Sequence, residues 1–148
     1  MLNHSELIKY AERWLKKPCS NNIELGNIGH PRCSLILSEL VTVSSEIPDC
    51  IGWHGNLSIL IECKTSVSDF KADFKKPFRI YPEIGMGNQR YYLTEKGLLN
   101  IEYIPEKWGL LEIENKKIIV TKYAQWQECN KNNDIIMLLS HIRRIKDA

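Results

Sequence analysis

A mixed α/β fold of the α+β type is predicted by three features of the chain. Apolar runs of strand length, Leu35 to Ser44, Asp49 to Trp53, Leu57 to Lys64 and Tyr91 to Leu93, are separated by turn residues or by a helical stretch. Apolar stripes at helical spacing occur near both ends of the chain. The order is helix, three strands, helix, strand, then a hairpin and a last helix, which mixes the two element types in one core. With 148 residues and 43% hydrophobic content, the chain suits one compact domain over 1–148.

The first helix begins at a capping-box pattern, Asn3 with Glu6. It carries Leu7, Ile8, Ala11, Trp14 and Leu15 on one stripe and is stopped by Pro18. Cys19 to Arg32, with Gly26, Gly29 and Pro31, reads as loop; its glycine spacing is not a phosphate-binding fingerprint. In Leu35 to Ser44 the alternation puts Leu35, Leu37, Glu39, Val41 and Val43 on one face. A carboxylate in an apolar row is costly unless Glu39 meets a cation or donor, or lies at an edge where it reaches water. Glu46, in the turn before Pro48, reads as surface.

Asp49 to Trp53 and Leu57 to Lys64 flank His54-Gly55-Asn56, a tight turn that folds one strand back on the other. Ser66 with Asp69 starts a second helix whose Phe70 and Phe74 face the sheet, and Pro77 ends the run. Glu83 to Arg90 is a glycine-containing loop leading into the strand Tyr91 to Leu93. Trp108 to Ile113 and Lys117 to Thr121, around Glu114-Asn115-Lys116, form a hairpin. The last helix, Asp134 to Lys146, is expected to bury Ile135, Leu138, Leu139, Ile142 and Ile145, with Arg143, Arg144 and Lys146 at its dipole-negative end.

A net charge of +2 does not by itself announce a nucleic-acid binder. The positive charge is local: Lys64, Lys71, Lys75, Lys76 and Arg79 follow one another with only Asp69 and Asp73 between them. Five cysteines, an odd number with no CxxC pair, and no signal-peptide pattern point to free thiols and a cytoplasmic protein. No long apolar span suggests a membrane. Cys19, His30 and Cys33 offer a zinc reading that lacks a second ligand pair at regular spacing.

Chemistry concentrates where the two central strands end. Glu62 and Lys64, two apart on a strand, project from one face. Antiparallel pairing across the His54–Asn56 turn brings Asp49 to that same end. Two hard oxygen ligands can hold Mg²⁺ or Mn²⁺ while an adjacent ammonium orients water. The bland alternative is a surface Asp beside an ordinary Glu/Lys strand pair; against it, Leu57, Ile59, Leu60 and Ile61 read as a strand buried on both faces.

Pro48-Asp49 and Glu62-Cys63-Lys64, followed at once by a short basic helix, resemble the PD-(D/E)XK nuclease superfamily. More narrowly, Glu39 to Tyr92 is similar to small MmcB-like DNA-repair nucleases and related phage proteins. The resemblance implies a restriction-endonuclease-like αβββαβ core, here with an added C-terminal β-hairpin and helix. It implies Asp49 and Glu62 as metal ligands, the Cys63 carbonyl as a further one, and Lys64 as the residue that positions water or offsets charge. Glu39 is the fourth metal candidate, and Glu6 and Glu12 could supply a first-helix carboxylate if they are not a solvated face. The implied activity is Mg²⁺- or Mn²⁺-dependent hydrolysis of DNA, as an endonuclease in repair, recombination or phage DNA processing. Lys71, Lys75, Lys76 and Arg79 would contact DNA phosphates, with Gln89 and Arg90 reaching the same substrate. A homodimer is compatible with this reading. The rival is a catalytically silent nuclease-like module that binds DNA or protein.

Overall fold

The computed structural model describes residues 1–21, 26–44 and 46–147. Its elements are α1 (His4–Leu15), β1 (Leu35–Ser38), β2 (Cys50–His54), β3 (Leu57–Cys63), α2 (Val67–Asp73), α3 (Pro77–Ile80), β4 (Gln89–Glu95), β5 (Gly109–Glu114), β6 (Lys117–Lys122) and α4 (Lys131–Asp147). The strands form one six-stranded sheet in chain order. β1, β2 and β3 are antiparallel neighbours, β4 runs parallel to β3 and β5 to β4, and β6 closes the hairpin antiparallel to β5. The α+β class is what the element order implies.

Local signals act as expected in several places. Asn3 and Glu6 close the capping box of α1 reciprocally. The Ser66 side chain accepts from the Asp69 N–H at 3.1 Å to start α2. Gly55 takes φ 58° in the turn between β2 and β3, a region that costs glycine little.

Strand alternation divides the core in two. On one face Ile59, Ile61, Tyr91, Leu93 and Leu111 pack under Leu7, Ala11 and Leu15 of α1. On the other, Ile51, Trp53, Leu60, Tyr92 and Leu110 pack with Phe70 of α2 and Met137 of α4. This second face runs into the charged cluster described below.

Two expected elements differ. β1 stops at Ser38, because Glu39 adopts φ 51° and its N–H turns to the Pro48 and Asp49 carbonyls at 3.1 and 3.2 Å. The chain then leaves the sheet, and Val41 and Val43 are exposed instead of lining a face. In α4, Ile135, Leu139, Ile142 and Ile145 are exposed, while Asp134 and Met137 are buried and Leu138 packs beside Met137. The cause is a polar anchor: Trp53 Nε1 donates to Asp134 Oδ2 at 3.0 Å and sets the helix phase. Of the predicted Cys19–Arg32 loop, residues 22–25 lie outside the described residues; its remainder carries an antiparallel bridge between Cys19 and His30. Among the described residues no helix is long and apolar enough to cross a membrane.

Candidate metal and phosphate site

The β2–β3 register pairs Cys50 with Ile61, so one further step sets Asp49 opposite Glu62. Asp49, Ile51 and Trp53 share a sheet face with Leu60, Glu62 and Lys64. Asp49 Oδ2 accepts the Cys63 N–H at 2.8 Å, which fixes its carboxylate at the β3 edge. The Lys64 N–H donates across to the Leu93 carbonyl at 3.0 Å. The peptide between Cys63 and Lys64 is trans, so the Cys63 carbonyl points the opposite way, to the β2 side of the strand. The Cys63 side chain packs on the α1 face, away from the cluster.

Glu62 is enclosed. Burial first, and the adjacent Asp49 charge second, push its carboxyl well above the usual range, with Arg79 opposing. Two carboxyl groups that converge at a buried strand edge disfavour a second negative charge, and a cation placed there would relieve that cost. The second Asp49 oxygen, Oδ1, lies 3.2 Å from His4 Nε2, and His4 Nδ1 lies 3.4 Å from Glu39 Oε1. Among the described residues, His4, Glu39 and Asp49 form a group whose ligand atoms all lie within 4.8 Å of one another. Side-chain exposure falls from Glu39 (57%) and His4 (43%) through Asp49 (17%) and Lys64 (9%) to Glu62 (4%), so the site descends from a wet rim to a dry floor.

The floor is held by Arg79. Its Nη2 donates to Glu62 at 3.2 Å, its Nη1 to Glu46 at 2.9 Å and its Nε to Asp73 at 2.7 Å. Burial works against the guanidinium charge, but these three carboxyl groups more than compensate and raise its pKa. Asp73 also accepts from Tyr92 Oη at 2.6 Å and lies 3.6 Å from Lys64 Nζ and 3.0 Å from Lys76 Nζ. Burial would raise the Asp73 carboxyl, yet Arg79, Tyr92 and Lys64 together hold it well below its ordinary value.

The structure thus sets Asp49 opposite Glu62, puts Lys64 on the same sheet face and the Cys63 carbonyl on the β2 side, and leaves Glu39 at the rim. It corrects three expected DNA contacts. Arg79 is internal, its side chain only 4% exposed, because three carboxyl groups claim it. Arg90 is fully buried and donates to the Gly87, Pro82 and Glu128 carbonyls. Gln89 is buried and donates to the Ile28 and Gly29 carbonyls. Of the other candidates Lys71 and Lys75 are exposed, and Lys76 is exposed but shared with Asp73. Glu46, expected at the surface, is buried; its carboxylate also accepts the Met86 N–H at 2.8 Å.

Sequence reasoning missed His4, Glu46, Asp73 and Tyr92 as parts of this cluster. His4 opens α1 and has no motif around it. Glu6, by contrast, is spent on the helix cap. The zinc reading finds no support, since Cys19, His30 and Cys33 do not form a metal-ligating group among the described residues.

No family model matches the chain, and no curated protein matches it. Among solved structures it is similar to SPO1766, a protein of unknown function from Silicibacter pomeroyi, with 19% sequence identity and a TM-score of 0.64. The match covers 99% of this chain and 90% of that one, a likeness of fold that extends over the whole sheet and its helices.

Proposed function

We propose that this chain is a Mg²⁺- or Mn²⁺-dependent deoxyribonuclease of the PD-(D/E)XK type that hydrolyses DNA phosphodiester bonds. The observation that carries the reading is the convergence of Asp49 and Glu62 on one sheet face, with the Cys63 carbonyl on the β2 side of the strand and Lys64 on the same face as Glu62. The donor set fits the ion: carboxylate and carbonyl oxygens suit Mg²⁺ and Mn²⁺, and the His4 imidazole at the rim tilts the preference to Mn²⁺. Asp49, Glu62 and the Cys63 carbonyl would hold it, with Glu39 and His4 on the solvent side. When bound, a divalent ion polarises a phosphate oxygen and acidifies water.

The chain's own groups do the rest. Lys64 orients water for in-line attack on phosphorus and offsets negative charge as the P–O bond to the leaving oxygen breaks. The exposed Lys71 on α2 and Lys75 just after it neutralise backbone phosphates on either side. Arg79 keeps Glu62 facing Asp49.

The test pairs metal titration with cleavage. Calorimetry should show Mn²⁺ affinity reduced roughly 10-fold or more in Glu62→Gln. Lys64→Ala should keep metal and DNA binding but lose ~10²–10⁴ of the cleavage rate on a panel of linear, nicked, branched and single-stranded DNA. Unchanged Mn²⁺ affinity in Glu62→Gln would sink the metal centre. DNA retention without metal or cleavage would favour a binding module.

A further inference from the structure

We propose that Asp73 is a positioning residue for Lys64, so that the α2–α3 segment, outside the Asp49, Glu62 and Lys64 motif, sets the geometry of the site. This rests on the nuclease reading above and extends it to a residue that the motif does not contain.

Asp73 is the last residue of α2 and is fully buried. Two short bonds to one of its oxygens, Oδ2, come from Tyr92 Oη at 2.6 Å on β4 and Arg79 Nε at 2.7 Å on α3. They fix the carboxylate plane from two directions and leave Oδ1 facing Lys64 Nζ at 3.6 Å. That distance is within ion-pair range and beyond a hydrogen bond. Lys64 is therefore held by charge, while its N–H groups stay available to a water or a phosphate oxygen.

The same guanidinium that fixes Asp73 through Nε holds Glu62 through Nη2 at 3.2 Å. One planar group thus sets the spacing between a metal-ligand carboxyl and the water-orienting amine. Asp73 is paired with two cations whose side chains are buried beside it, Arg79 and Lys64. Lys76 also reaches Oδ1, at 3.0 Å, but its side chain is 45% exposed and screened by water.

The experiment is a double-mutant cycle on cleavage with Mn²⁺, using Asp73→Asn, Lys64→Met and the pair. Mn²⁺ and DNA affinities and thermal unfolding are measured on each protein. Asp73→Asn should lower kcat by ~10²-fold, leave the affinity for Mn²⁺ within about threefold, and cost nothing more when Lys64 is already Met. If Asp73→Asn does not fold, Tyr92→Phe, which loosens the carboxylate while keeping it, takes its place in the cycle with a loss of ~3–10-fold. Equal losses from the Asp73 or Tyr92 change with and without Lys64 would overturn the positioning role and leave the nuclease reading standing. A wild-type protein that cleaves none of the DNA forms would overturn both.

Discussion

Arg79 and Arg90 are both buried, both were expected on DNA, and the protein handles their charges in opposite ways. Arg79 gives each of its three nitrogens to a carboxyl group, and its guanidinium lies 4.7 Å from the Trp108 ring and 4.8 Å from the Phe78 ring. Arg90 gives Nε and Nη2 to three backbone carbonyls at 2.8 to 3.2 Å, and its Nη1 has no hydrogen-bond partner among the described residues. The consequence is electrostatic. Burial pulls Arg90 down to about 10, only partly offset by Glu46, whereas Arg79 is pushed up by its partners. Around α3 a buried charge is neutralised by carboxyl groups. In the Pro82 to Arg90 loop the same side chain serves as a hydrogen-bond staple that joins Pro82, Gly87 and the segment before α4.

One substitution made at both positions puts that difference to its hardest test. Arg79→Met takes from buried Glu46 its cation and from Asp73 the nearest of its three, which should cost about 3–5 kcal/mol. For a chain of this length that lowers Tm by roughly 10 °C or more. Arg90→Met loses carbonyl partners but also removes a buried charge with no counter-ion, so its net cost should be about 1–2 kcal/mol. Urea unfolding of both variants decides it, and equal costs would mean that Arg79 is merely another staple. Acid adds a signature. The Asp73 carboxyl is held low, so its contribution is present above the unfolded value of about 3.9 and lost as pH falls toward the folded one. Arg79→Met should flatten that acid limb, and Arg90→Met should leave it.

The part of the site that local pattern can encode was legible in the sequence, and the part that needs three-dimensional convergence was not. Asp49, Glu62 and Lys64 lie on two strands joined by a short turn, so pleat and register alone bring them to one face. Glu46, Asp73, Arg79 and Tyr92 come from a loop, two short helices and a parallel neighbour strand. Nothing in their spacing announces that they share a core. The basic run from Lys71 to Arg79 misled for the same reason: charge density along the chain does not say which cation turns inward. Exposure of the α4 stripe was hidden likewise, since the Trp53 to Asp134 bond that sets the helix phase spans the chain. The element order and class, by contrast, follow from period and turn signals.

Glu62 sharpens the comparison because it is the Arg79 partner whose carboxyl is pushed upward, by burial first and by Asp49 second. A carboxyl raised in the folded state contributes stability below its unfolded value of about 4.3 and loses it as pH rises toward the folded value. Glu62→Gln keeps shape and hydrogen bonding without that penalty. It should be more stable than wild type at pH 8 by about 1 kcal/mol, a Tm rise of roughly 2–4 °C. The gap should close below about pH 4. Thermal scans at pH 4 and pH 8 measure it. A glutamine variant less stable at pH 8 would show that the Arg79 ion pair outweighs burial.

The smallest effect separates buried from exposed cations directly. Lys71 on α2 and Lys75 just after it are exposed next to the site, outside the ion pairs that Asp73 makes among the described residues. Each phosphate neutralised contributes ~0.9 to the slope of log affinity against log salt, so Lys71→Gln with Lys75→Gln should reduce that slope by ~2 for every DNA sequence tried. Lys76→Gln should remove less, because Asp73 already shares its charge. Gln89→Ala and Arg90→Met should leave the slope alone, since neither side chain reaches solvent. A slope that responds to Arg90 and ignores Lys71 and Lys75 would reverse the assignment: the loop would have to open to meet DNA, and its staple would be the binding element after all.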